Sequence, residues 1–190
     1  MDAALRFAFE APARGPIPAI HLGQHEASFL GWLLRLAGAR KVVEVGTLAG
    51  FSGIHLARSI PSEGRLYTCE REPLHAAAAR EAFAHAGLAE RITVLEGSAL
   101  ESLATLADEG PFDAIFIDAD KGNYDHYVTW AAAHLRPGGL LLGDNVFFFG
   151  RLLGDEPEAA AMRRFHEIAA AHFETCLLPT PDGLLLGRRK

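Results

Sequence analysis

Between residues 41 and 145 the sequence alternates in short steps between apolar, β-branched runs and helix-patterned segments. Strands are predicted at Lys41–Val45, Arg65–Cys69, Ile92–Glu96, Ala114–Asp118 and Leu140–Leu142. Helices are predicted between them, at Ser52–Ser59, Pro73–Gly87, Leu100–Asp108 and Tyr124–Leu135. Strand followed by helix, repeated, gives a parallel sheet covered on both faces, the α/β class. The runs IFID and LLLGD are apolar at nearly every position. That suits strands buried on both sides, which need not alternate. Pro157–His172 continues as a helix, and the tail from Phe173 reads as two strands joined by Pro181-Asp182-Gly183, an antiparallel hairpin at the sheet edge. Before the alternation, Gln24–Leu36 has helical spacing and a stop at Gly38. Pro12, Gly15, Pro16 and Pro18 predict an extended arm over residues 1–19.

A chain of 190 residues is long enough to bury its own core, and one domain over 1–190 is expected. The formal charge of −6 disfavours a nucleic-acid binder, whose affinity rests on clustered cations. Cys69 and Cys176 stand far apart in no paired motif, so reduced thiols and a cytoplasmic protein are expected. No secretory signal is apparent, and no apolar stretch approaches the roughly 20 residues that span a bilayer.

Two of the strands end in acid: FDAIFIDADK stops on Asp118 and GGLLLGDN on Asp144-Asn145. Ligands of doubly wound sheets bind at the carboxyl ends of the strands. Adjacent carboxylates repel unless a cation sits between them. An Asp118, Asp144, Asn145 oxygen set suits Mg²⁺, Ca²⁺ or Mn²⁺ and is poor for zinc. Lys121 follows one turn later; beside a cation its pKa would fall, making it a candidate general base. Capping by Asp118 and Asp120, and a simple turn at Asp144-Asn145, are the plainer alternatives.

The first alternating strand runs into EVGTLAGFSG, residues 44–53. Gly46 and Gly50 allow a tight turn and close approach of a ligand to the helix amides that follow. The spacing is not G-x-G-x-x-G and no phosphate-loop lysine is present, so a nucleoside without a pyrophosphate fits best. Glu70, at the end of the second strand, stands where such folds bind ribose hydroxyls. His21 and His25 are four apart and could share a helix face, but no third ligand accompanies them; a surface or pocket-lining role is expected. His75, His85, His166 and His172 read as exposed or boundary residues. No G-x-S-x-G elbow occurs. Three adjacent phenylalanines, 147–149, cannot all face a core, so at least one is expected to border a pocket or subunit contact.

EVGTLAGFS, the acid at 70, EGSALESL, FDAIFIDADKGNY, LRPGGLLLGDN and LPTPDGL together resemble the cation-dependent O-methyltransferases, the family of caffeoyl-CoA and catechol O-methyltransferases. The resemblance runs from about residue 20 to residue 188. It implies a Rossmann-like, doubly wound, seven-stranded sheet of the class I S-adenosylmethionine-dependent methyltransferases, usually dimeric. It also implies a phenolic small-molecule acceptor. On the matched motifs, Glu44, Gly46 and Ser52 would line the methionine and ribose side of the cofactor, Glu70 would take the ribose hydroxyls, and Ala99 would lie against the adenine. Asp118, Asp144 and Asn145 would hold the metal, Asp120 would lie near the cofactor amino group, and Lys121 would be the base. Three features depart from the family: a short amino-terminal region, Leu22 in place of a threonine, and Phe148 in place of a tryptophan. All three bear on the acceptor. A metal-independent methyltransferase would leave the acid set unexplained, and a non-catalytic nucleotide-binding protein would leave Lys121 unexplained.

Overall fold

The computed structural model describes residues 1–190 as two compact units, residues 1–102 and 103–190. The first holds three parallel strands in the order β3-β2-β1: β1 (Lys41–Val45), β2 (Arg65–Glu70) and β3 (Ile92–Glu96). Val42, Val43 and Val45 are almost fully buried, as expected for a strand covered on both faces. The helices are α3 (Gln24–Leu36), α4 (Phe51–Ser59) and α5 (Pro73–His85). In α5, Pro73 opens the first turn, where no amide partner is lost, and Ala76, Ala79, Ala82 and Phe83 form the buried stripe.

The amino terminus departs from the predicted extended arm. Ala3–Phe9 forms α1 and Ala11–Arg14 forms α2. Pro12 falls in the first turn of α2, the position where proline is tolerated. Asp2 caps α1 by accepting the Leu5 amide at 3.0 Å, and its other oxygen pairs with Arg58 at 2.6 Å. Ala4, Leu5 and Ala8 are buried, so the segment is held by its apolar side. Beyond it, Ala11 and Ile17 pack on Ala49 of the glycine-rich turn, with Leu48 and Ala78 alongside.

Helix α6 (Ala99–Thr105) carries the chain into the second unit. There the strand order is β4-β5-β7-β6, with β4 (Phe112–Ile117) and β5 (Leu135–Gly143) parallel. β7 (Leu184–Arg189) runs antiparallel to both β5 and β6 (Phe173–Leu178), so the expected carboxy-terminal hairpin forms. β5 begins five residues before its predicted start and includes Pro137. Helices α7 (Tyr124–His134) and α8 (Pro157–His172) pack on each other, Phe165 meeting Tyr124 edge-on at 5.3 Å. No helix is long and apolar enough to cross a membrane.

Candidate functional site

In the first unit the strand ends converge on the glycine-rich turn. Gly46 donates its amide to the Cys69 carbonyl at 3.0 Å, and Gly97 does the same to Glu70 at 2.9 Å. Gly46, Glu70 and the start of α6 at Ala99 therefore stand at neighbouring strand ends. Gly50 begins α4 at φ 85°, and a Cβ there would come within 2.8 Å of the Phe83 ring. Only glycine satisfies both conditions at this position.

Two buried carboxylates shape this turn. Glu44 is fully buried; Ser52 donates its hydroxyl to Oε1 and Thr68 to Oε2, each at 2.6 Å. Glu70, 8% exposed, accepts the amides of Thr47 at 3.2 Å and Leu48 at 2.8 Å with Oε2, and of Glu72 at 3.0 Å with Oε1. Charge-assisted bonds of this kind are roughly twice as strong as neutral ones, enough to hold Leu48 at φ 47°. His75, a boundary residue as expected, has Nδ1 3.5 Å from Glu70 Oε1.

In the second unit, the register pairs Ile117 with Gly143, and the Asp144 amide donates to the Ile117 carbonyl at 3.0 Å. Asp118 and Asp144 thus leave adjacent strands at the same level. Asp144 is 7% exposed, and the Asn145 amide nitrogen lies 3.4 Å from its Oδ2. Lys121 Nζ is 3.4 Å from Asp118 Oδ1 and donates to the Tyr124 hydroxyl at 2.6 Å. That hydroxyl in turn donates to the Asp144 carbonyl at 3.0 Å. Burial pushes the Lys121 ammonium below the usual lysine pKa, against the opposing pull of Asp118, Asp144 and Asp182. Burial pushes the Tyr124 phenol well up, helped by the same two strand-end acids, so it stays neutral.

No three His, Cys, Asp or Glu side chains form a metal-binding group. The expected set has two carboxylates and one amide, all hard oxygen donors, which match Mg²⁺ or Mn²⁺ in kind. Asp120 is occupied locally: Tyr127 donates to its Oδ1 at 2.6 Å and the Asn123 amide bonds its Oδ2.

The glycine-turn residues all lie within 1–102, and the acidic set all within 103–190. An O-methyltransferase family model matches residues 3–190. The chain belongs to this O-methyltransferase family. Among relatives, a catechol O-methyltransferase of Niastella koreensis is 41% identical over 176 residues, covering 90% of this chain and 80% of the relative. Caffeoyl-CoA O-methyltransferase 1 of Eucalyptus globulus is 30% identical, covering 95% and 79%. An O-methyltransferase of Bacillus cereus in complex with S-adenosylhomocysteine superposes with a TM-score of 0.95 at 37% identity, covering 100% of this chain and 92% of that one. One of Streptomyces achromogenes, in complex with S-adenosylmethionine, gives 0.92 at 33% identity, covering 100% and 91%. The seven-stranded α/β fold is thus that of the S-adenosylmethionine-dependent methyltransferases, and this chain is one of these enzymes, of the cation-dependent branch.

In this methyltransferase His21 and His25 share no helix face, because α3 begins at Gln24 and leaves His21 outside it. His21 packs on Phe9 at 4.0 Å and Phe51 at 5.8 Å, whereas His25 is exposed. His166 is a boundary residue as expected, and its Nε2 bonds the Val146 carbonyl at 2.8 Å. In the sequence Tyr124 marks only a helix start; that its hydroxyl bridges Lys121 and the Asp144 carbonyl, 20 residues on, is set by the fold.

Proposed function

We propose that the enzyme methylates a hydroxyl of a catechol-like or hydroxycinnamoyl-type small molecule and requires a divalent cation, Mg²⁺ first among Mg²⁺, Mn²⁺ and Ca²⁺. The observation that carries this reading is the pair of acids leaving β4 and β5 at one level, with Asn145 and a buried lysine beside them. Asp118, Asp144 and Asn145 would hold the cation. When bound, it would supply Lewis-acid stabilisation of negative charge on the acceptor oxygen.

The chain's own residues account for the rest. A free phenol has a pKa near 10, so at neutral pH little of it is nucleophilic. Lys121, with its pKa lowered, takes the hydroxyl proton at Nζ. The oxygen then attacks the sulfonium methyl; the O–C bond forms as the S–C bond breaks, and neutral S-adenosylhomocysteine leaves. Tyr124 anchors Lys121 Nζ and cannot compete for the proton, because its own phenol is held neutral. On the donor side, Glu44, Gly46 and Ser52 line the methionine and ribose, Glu70 receives the ribose hydroxyls, Ala99 faces the adenine, and Asp120 neighbours the amino group. The departures at Leu22 and Phe148 bear on which acceptor is taken.

We also propose a homodimer, since Phe29, Trp32 and Leu36 line one side of α3 and are exposed.

A panel of catechols and hydroxycinnamoyl thioesters, assayed with Mg²⁺ and with chelator, tests the reaction. Methyl transfer is expected with Mg²⁺ alone, and Asp118→Ala should abolish it while S-adenosylmethionine still binds. Equal turnover in chelator would overturn the cation requirement.

A further inference from the structure

The loop after the second acidic strand end is held in a conformation that its own residues disfavour. Asn145, Phe148 and Phe149 have φ of 54°, 51° and 53°, the left-handed region, which asparagine tolerates but which strains a phenylalanine. Contacts from elsewhere must therefore hold the two phenylalanines there.

Those contacts come largely from one turn, Thr180–Gly183. Gly183 accepts the Val146 amide at 3.1 Å, and Asp182 accepts the Phe147 amide at 3.0 Å through its backbone carbonyl. Asp182 also reaches back with its side chain, whose Oδ1 accepts the Phe149 amide at 2.7 Å. Gly183 sits at φ 79°, and a Cβ on it would stand 2.7 Å from the Phe147 ring, so that ring lies directly on the turn. From the other side His166 fixes the Val146 carbonyl. Val146, next to Asn145, is fully buried and bonded at both its amide and its carbonyl.

The carboxylate is an expensive way to make one such bond. Asp182 Oδ2 is buried without a partner, as is Thr180 Oγ1. An unpaired buried oxygen costs free energy, and an asparagine would supply the same Oδ1 acceptor without the charge.

We propose that Asp182 is a positioning residue of the acidic half-site. Its Oδ1 bond clasps residues 145–149 and so fixes the Asn145 amide beside Asp144 and sets the aromatic run for the acceptor. The inference rests on the reading of Asp144 and Asn145 as cation ligands and extends it to the turn that holds them.

Three variants separate the bond from the charge. Asp182→Ala removes both, Asp182→Glu keeps the charge but moves the oxygen, and Asp182→Asn keeps the oxygen without the charge. Each is measured for Mn²⁺ affinity by calorimetry without acceptor, for S-adenosylmethionine affinity, and for acceptor KM and kcat. The alanine and glutamate variants should weaken Mn²⁺ binding and raise acceptor KM by about tenfold, the scale set by one lost hydrogen bond. Their kcat should change less than KM, and cofactor affinity should stay within twofold. Asparagine should restore both properties to near the parent values. If alanine does not fold, glutamate carries the same comparison. The clasp is overturned if alanine or glutamate matches the parent, or if asparagine is as impaired as they are. Should the parent methylate without binding Mn²⁺, the cation reading alone fails, and acceptor KM still decides the clasp.

Discussion

Lys121 shows how one side chain is set for its work. Its ammonium is mostly out of water, with one carboxylate at 3.4 Å and a neutral phenol at 2.6 Å. Burial disfavours the charged form and outweighs the three acids that favour it. Lys121→Ala is expected to lower kcat by about 10² to 10⁴, the range for loss of a general base. Lys121→Arg should not rescue it, because guanidinium does not give up its proton near neutral pH. Steady-state kinetics at saturating Mg²⁺ would check both, and an alanine variant within tenfold of the parent would remove the role. Lys121, Asp118 and Asp144 were legible because they sit at the ends of apolar runs, where sequence and position coincide. Tyr124 and Asp182 were not, because neither residue type nor local spacing reveals what a side chain meets across the fold. The Asp182 bond to Phe149 joins residues 33 apart in the sequence.

At the scale of elements, the strands and helices of the alternating region followed the sequence to within a few residues, since each carries its own apolar period. The amino terminus did not. Its prolines predict an extended arm, yet one falls where a helix begins, and α1 is stabilised by its cap and buried face. An aromatic row links this segment to α4: Phe9 meets Phe51 at 5.2 Å, and Phe51 meets His55 at 5.1 Å. His55 Nε2 is buried without a partner. Burial, then Arg58, lowers its pKa, while Asp2 opposes and the amino terminus adds a little. A histidine with a depressed folded pKa takes up its proton more readily when unfolded. Its stabilising contribution is therefore complete above the ordinary value of about 6.5 and is lost as pH falls through the folded pKa. The melting temperature should fall between pH 7.5 and 5.5, and less so in His55→Gln. Equal falls in the two proteins would exclude His55 as the cause.

For the whole molecule, composition set broad limits and the surface adds one specific expectation. Trp32 is 58% and Leu36 79% exposed on one side of α3, an apolar stripe costly to leave in water. Light scattering should give twice the 20.5 kDa of the chain, and Trp32→Glu should return it towards a single chain. A dimer that survives this change would use another face. The sequence by itself determined the order of strands and helices from residue 24 onward, the carboxylates at the strand ends, the glycine turn and the family. Those properties are written in local pattern, and local pattern needs no partner to be read. Tertiary structure alone decided that Glu70 braces the glycine turn, that His21 joins an aromatic row, and that a distant turn clasps the loop in which Asn145, Phe148 and Phe149 take left-handed backbone. Each depends on groups brought together by packing, and the free energy of such contacts belongs to the pair rather than to either residue.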